Sequence, residues 1–445
     1  MAENVVVTVP KSLRARLQTG IAWNLVGAAF NQGSTLVVNI IVANLLGRET
    51  FGEYAVIQST LATTASIAAF GTGYTATKYL AEFRSTDKPR AGRIMALCSV
   101  TSATTACIAA LVLLIGAPWL AANALKAPHL ASALMIAAAV AFFNVMNWYQ
   151  MGALSGLESY RALGVGGIIS GSLYLAICTV AAYLGGLTGV LIGVATSAFI
   201  QWLLLNWLLR RESARQGIVS QYRDIGQEGT IIWKFALPTA LPSFTTMPAL
   251  WLASVFLVRQ ADGYTQMALY SAANNFRIIV LFLPNIVNNV GMSLLNYQKG
   301  LRDEDRYRKV FRANMALTVG SVVMGALAVV LFGPFLMGVF GKSFSQGFPV
   351  LLVLMLATLP EALWYLMSQV ISSHEKMWSL FLVGILPRDA CMVLLAYLLS
   401  SRGGAVGLAS AYTISWLLAL VVAIMLVGRI GLSASGRKDR PQSSP

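Results

Sequence analysis

The chain has 445 residues, of which 57% are hydrophobic and 11% charged, with a net charge of +15 and a mean hydropathy of +0.69. Soluble domains carry about 25% charged residues, and surface-to-volume scaling limits how much apolar sequence a water-surrounded fold can hide. Composition therefore excludes a soluble protein. The positive charge does not indicate nucleic acid either, because it is gathered in short connections between apolar runs.

A membrane-spanning helix needs about 20 mostly apolar residues. The first such run, 17–46, follows Lys11, Arg14 and Arg16. It is far longer than the apolar region of a signal peptide, so it is expected to stay as the first span. Further spans are predicted at 52–80, 94–117, 130–151, 163–184 and 187–209. After a polar stretch come 235–258, 266–298, 313–337, 348–371, 377–399 and 405–427. With the N-terminus inside, 25 of the 32 Lys and Arg fall in inner connections, 5 in outer ones, and 2, Arg277 and Arg388, inside spans. Basic residues mark the cytoplasmic side, so an even number of spans with both termini cytoplasmic is expected. The tail from Ser433 is polar and basic, and is expected to be disordered.

The predicted organisation is an inner N-terminal segment (1–16), a six-helix bundle (17–209), an inner linker (210–234), a second six-helix bundle (235–428) and an inner tail (429–445). The two bundles read as a duplication. Tyr54 and Tyr270, and Pro118 and Pro334, are each 216 residues apart, and Gly185-Gly186 precedes Gly403-Gly404 by 218. Both halves start inside, so the repeat is parallel, with its axis along the membrane normal. The fold class expected is all-α: a polytopic protein of about 12 helices in two pseudo-symmetric bundles around a central cavity.

Catalytic patterns are absent. The two histidines, His129 and His374, lie in loops, and no phosphate-binding glycine loop, zinc motif or nucleophile elbow occurs. The four cysteines sit in apolar runs without metal or disulfide spacing. A non-enzymatic protein with no cofactor and no metal is expected.

Polar residues at membrane depth are costly and by default face a cavity or a partner. In the eighth span Asn274, Arg277, Asn285 and Asn288 fall within about 80° at 100° per residue. In the first span Asn24, Asn31 and Gln32 fall within about 100°, and Gln58 stands 216 residues before Asn274. The amides either line a cavity or bond between helices, and Arg277 either lines the cavity or forms a structural ion pair with a neighbour. Glu361 follows Pro360, and Arg388 and Asp389 follow Pro387. Either Glu361 and Arg388 form a structural pair, or Glu361 or Asp389 binds a coupling cation while Arg388 meets substrate.

Five stretches resemble a known family. Ala43-Asn44-Leu45-Leu46-Gly47-Arg48-Glu49-Thr50-Phe51-Gly52-Glu53-Tyr54 is similar to the opening signature of the Wzx-type O-antigen and exopolysaccharide flippases. These belong to the multidrug/oligosaccharidyl-lipid/polysaccharide exporter superfamily. Leu154-Ser155-Gly156-Leu157-Glu158-Ser159-Tyr160 resembles the segment after the family's fourth helix. Phe235-Ala236-Leu237-Pro238, Leu269-Tyr270-Ser271-Ala272-Ala273 and Phe282-Leu283-Pro284 resemble its second repeat. The resemblance covers nearly the whole chain and implies two bundles in a V around a cavity, in the inner membrane. It implies an undecaprenyl-diphosphate-linked oligosaccharide as cargo, with membrane lipids, a polysaccharide polymerase and chain-length machinery as partners. Related peptidoglycan-precursor flippases have fourteen helices and an arginine-rich first helix, which this chain lacks. The expected substrate contacts are Arg277, Arg388, Asn274, Asn31, Gln58 and Asn285, with Glu361 and Asp389 as coupling groups. Two alternatives stand beside this reading. One is a multidrug or cation antiporter of the same superfamily; the other is a non-transporting scaffold for glycan assembly.

Overall fold

A computed structural model describes the backbone of residues 11–300, 304–373 and 377–435, and side chains for 22–288, 309–371 and 377–429. His374 and the end of the tail lie outside the described residues, as do the side chains of Lys11, Arg14 and Arg16. The described residues form helices joined by short turns, with no strand among them. In chain order they are α1 (Lys11–Ala68), α2 (Thr72–Phe83), α3 (Lys88–Trp119), α4 (Ala131–Gly156), α5 (Tyr160–Arg215) and α6 (Leu237–Val258). There follow α7 (Gly263–Gly300), α8 (Glu304–Leu331), α9 (Gly333–Val339), α10 (Phe348–Ser373), α11 (Met377–Ser379) and α12 (Leu386–Ser435).

Nine stretches among the described residues are long and apolar enough to cross a bilayer. Three of them, Ala22–Ala68, Tyr160–Arg215 and Met377–Arg429, run 47, 56 and 53 residues, twice the length one crossing needs. Each breaks at a glycine: Gly47 (φ 79°), Gly186 (φ 56°) and Gly404 (φ 52°). Reading each as a pair of spans gives a count consistent with the twelve expected.

The glycine breaks repeat in detail. Gly186 has φ 56° and ψ −139°, and Gly404 has φ 52° and ψ −129°, a conformation essentially confined to glycine. Three residues on, a Cβ on Gly189 would stand 2.1 Å from the Ala181 carbonyl oxygen, and one on Gly407 2.0 Å from that of Leu399. Each pair is again 218 residues from its counterpart, so the returning span packs backbone to backbone on the outgoing one in both halves. The second predicted span departs from expectation. It is not continuous over 52–80 but breaks at Phe70 (φ 45°) and Gly71 (φ 67°) before α2, where Phe70-Gly71-Thr72-Gly73 weakens the helix.

The helices are sorted inside out. On α3, Cys98, Ser102 and Ala106 are buried while Ile108, Leu111, Val112 and Ile115 are exposed. On α12, Tyr412, Ser415, Trp416, Ala419 and Ala423 are buried while Leu417, Leu418, Val421, Ile424 and Met425 are exposed. Small and polar residues face helices and large aliphatic residues face outward, as packing in lipid requires.

The described residues form two compact units. One holds those up to Val42, Thr64–Ala121 and His129–Ala240; the other holds Ala43–Thr63, Ala122–Pro128 and those from Leu241. In the first unit the segment after α5 is fastened down. The Ile218 amide donates to Ser213 O (2.9 Å) and the Gln221 amide to Gly92 O (3.2 Å). Arg90 Nε donates to both oxygens of Glu228 at 3.2 Å, and Arg93 Nη2 donates to Oε1 at 3.3 Å. Glu228 is buried, so its charge is held by these two arginines and α3 carries the polar stretch.

Candidate functional site

Three helices of the second unit, α7, α10 and α12, bring charge into its interior, and α6 adds a hydroxyl. Prolines shape two of them. A proline has no amide hydrogen and its ring crowds the preceding turn. One residue before Pro238 the Leu237 amide reaches Ile232 O, and one residue before Pro387 the Leu386 amide reaches Phe381 O, each five residues back. The turns widen into π segments, Ile232–Ala236 and Leu380–Ile385, a local bulge common at functional sites. Arg388 and Asp389 follow the second of these directly.

Arg277 of α7 meets Glu361 of α10. Its Nη1 donates to Glu361 Oε2 at 2.5 Å and its Nε to Asn274 Oδ1 at 2.8 Å. Tyr412 of α12 donates its hydroxyl to the same Oε2 at 3.0 Å, and its ring centroid lies 4.7 Å from the Arg277 guanidinium carbon. The side chains of Arg277 and Glu361 are 12% and 6% exposed. Desolvating both ions costs several kcal/mol each, so close geometry and added hydrogen bonds are needed to offset it; Asn274 and Tyr412 supply them.

A second cluster lies on α6 and α12. Arg388 donates from Nε (2.9 Å) and Nη2 (2.6 Å) to Asp389 Oδ1, and from Nη2 to Thr246 Oγ1 (2.7 Å). The Thr246 hydroxyl donates to Asp389 Oδ2 at 2.9 Å, closing a ring. The Arg388 guanidinium carbon stands 4.5 Å from the Trp416 ring centroid. Tyr412 and Trp416, one turn apart on α12, have ring centroids 6.0 Å apart, so each aromatic face carries one arginine.

The expected site residues are thus distributed as follows. Asn274, Arg277 and Glu361 form one cluster, and Arg388 and Asp389 form the other. The structural pairing of Glu361 with Arg388 does not occur; each has a nearer partner. Asn288 is buried and accepts from Thr318 Oγ1 at 3.0 Å, whereas Asn285, three residues earlier, is exposed. Gln58, in the second unit, donates to Tyr54 Oη at 2.6 Å. Asn31, in the first unit, is exposed on α1, as is Asn24. Sequence reasoning missed Tyr412, Trp416 and Thr246. Tyr412 and Trp416 stand four apart in an apolar run, which is an aromatic helix face and the one signal that could have drawn notice.

The arrangement offers two guanidinium groups in an apolar interior, each neutralised by one carboxylate and flattened against one aromatic ring. A planar guanidinium binds carboxylate and phosphate through the same fork. An anionic group can therefore replace the internal carboxylate without a change of donor geometry.

The backbone alone defines a class. The fold matches that of multi-helix membrane transporters. An inward-facing multidrug resistance transporter of the MATE family of the MOP superfamily superposes with a TM-score of 0.75 at 15% identity, over 94% of this chain and 100% of the other. A MOP superfamily transporter from Pyrococcus furiosus superposes at 0.70 and 16% identity, over 94% and 96%.

The sequence narrows the class. Residues 17–294 match the model of the polysaccharide biosynthesis protein family, and the chain belongs to that family. Among its relatives is the EPS I polysaccharide export inner membrane protein EpsE of Ralstonia nicotianae, 24% identical over 374 residues, 84% of each chain. The EpsE of Ralstonia solanacearum is 23% identical over 382 residues, 84% of this chain and 85% of the other.

Proposed function

We propose that the protein is an inner-membrane flippase. It moves undecaprenyl-diphosphate-linked oligosaccharide repeat units from the cytoplasmic to the periplasmic leaflet during polysaccharide biosynthesis, with both termini cytoplasmic. The family and the export role named for its relatives support the polysaccharide pathway. The observation that carries the cargo class is the pair of guanidinium groups buried inside the second unit, since their planar forks suit a diphosphate.

The cargo has a sugar head, a diphosphate and a polyprenyl tail; only the first two resist crossing lipid. Transport proceeds by alternating access, the cargo site opening to each side in turn. The diphosphate takes the donors of Arg277 and Arg388 now given to Glu361 and Asp389, while Asn274, Gln58 and Asn285 meet hydroxyls. Glu361 is the coupling group at the first arginine: a cation bound to its carboxylate frees the guanidinium for cargo. Asp389 serves Arg388 in the same way. Export of an anion from a cell interior at negative potential is also downhill by about 2.3 kcal/mol per charge per 100 mV.

The test is a deletion strain. It should accumulate lipid-linked repeat units in the inner leaflet and stop secreting polysaccharide, and the wild-type gene should restore both. Normal secretion by the deletion strain would overturn the proposal. A drug-export phenotype on overexpression, without a polysaccharide defect, would favour the multidrug alternative.

A further inference from the structure

Arg388 keeps one edge unused. Its Nε and Nη2 serve Asp389 and Thr246, whereas Nη1 donates to no described residue. The rest of the side chain is buried, so Nη1 is the edge left for an incoming anion. What fixes the direction of that edge is Trp416, whose ring centroid lies 4.5 Å from the guanidinium carbon. A guanidinium held over an indole face is attracted to the ring while its N–H groups stay in one plane and point past the rim. A forked contact with a phosphate needs that plane to be set beforehand.

The Trp416 ring is itself wedged. The ring centroids of Tyr365, Tyr412 and Trp364 lie 5.7, 6.0 and 6.5 Å from it. Trp364, on α10 one turn after Glu361, is buried and meets Trp416 at 66°, the edge-on arrangement that aromatic pairs favour. Behind Trp364 stands Gly384, buried in the π segment Leu380–Ile385. A Cβ on Gly384 would collide with Trp364 Cη2 and stand 3.3 Å from Cζ3 and 3.4 Å from Cζ2. A larger residue would push the indole off its seat. Contacts therefore run from Gly384 to Trp364, on to Trp416, and from there to Arg388, all within the second unit.

We infer that Trp416, Trp364 and Gly384 are positioning residues for the cargo: together they set the plane in which Arg388 offers Nη1 to a phosphate oxygen. The inference rests on the reading of the cargo as a diphosphate-linked lipid.

The test is a binding cycle on the full-length protein in lipid nanodiscs, with undecaprenyl diphosphate as the probe and folded protein selected by gel filtration. Trp416→Leu should weaken binding about tenfold, and Trp416→Phe, which keeps a ring, by less than about threefold. In the Arg388→Lys background Trp416→Leu should change little, because an ammonium has no plane to set. Gly384→Ala should weaken binding as Trp416→Leu does, and adding Trp364→Phe, which removes the colliding edge of the indole, should restore it. Equal losses from Trp416→Leu with and without Arg388→Lys would reveal a general packing role and overturn the inference. So would unchanged affinity in Gly384→Ala. Failure of the unaltered protein to bind undecaprenyl diphosphate would remove the cargo reading, and this inference with it.

Discussion

Glu361 Oε2 accepts from Arg277 and from Tyr412 at once, so stability and transport can be separated at this atom. Removing one partner of a buried pair leaves a naked charge, a loss of about 3–5 kcal/mol, whereas replacing both with apolar groups of similar volume is near neutral. Arg277→Ala and Glu361→Ala should each lower the thermal midpoint in detergent and abolish secretion. The double variant Arg277→Met/Glu361→Leu should recover the midpoint and remain unable to secrete. Arg277→Lys should keep part of the secretion, because a point charge lacks the planar fork. Arg277 was visible in the sequence because a charge inside an apolar run is conspicuous. Its partner was not. Residues 277 and 361 stand on helices whose packing no local pattern encodes; of the two readings open for Glu361, pairing with Arg388 fails because Arg388 bonds its own neighbour Asp389. Tyr412 and Trp416 were invisible for the opposite reason: aromatic rings vanish into an apolar composition, although here they carry the cation faces.

Among the elements, the glycine returns bear the duplication most directly. Gly404 needs φ 52°, and a Cβ there would stand 2.8 Å from Gln266 Oε1, while Gly403 beside it has open space. Gly404→Ala should therefore cost about 1–3 kcal/mol, and Gly403→Ala should be tolerated; thermal unfolding of the two variants in detergent is the check. Gly186 should behave as Gly404 does. The paired glycines and their spacing were legible from sequence, because they follow from local conformational rules. The break at Phe70-Gly71 was passed over because the surrounding run stays apolar, and hydropathy does not register a change of helix direction.

For the molecule as a whole, the distribution of basic residues is a statement about topology that can be checked directly. Gln260→Cys, in an outer connection, should react with a membrane-impermeant maleimide in intact cells. Gln221→Cys, in the inner polar stretch, should react only after lysis. The reverse pattern would invert the protein in the membrane and with it the direction of export. That inner stretch was expected as a plain linker over 210–234, and charge alone could say no more, since a solvated run and a docked one have the same composition. Its burial of Glu228 between Arg90 and Arg93 shows that it is docked.

A connector bolted along its length has no slack to give. The 25 residues between the spans, nominally a generous leash, are tied to the first unit at Ile218, Gln221 and Glu228, and the chain stays in that unit through Ala240. Cleaving the peptide near Arg223 should therefore go unnoticed by the membrane-embedded machine. With a protease site inserted there, nicked protein should migrate as two fragments on a denaturing gel and as one species in mild detergent. Secretion by a strain that makes the two pieces from separate genes would carry the same consequence into the cell.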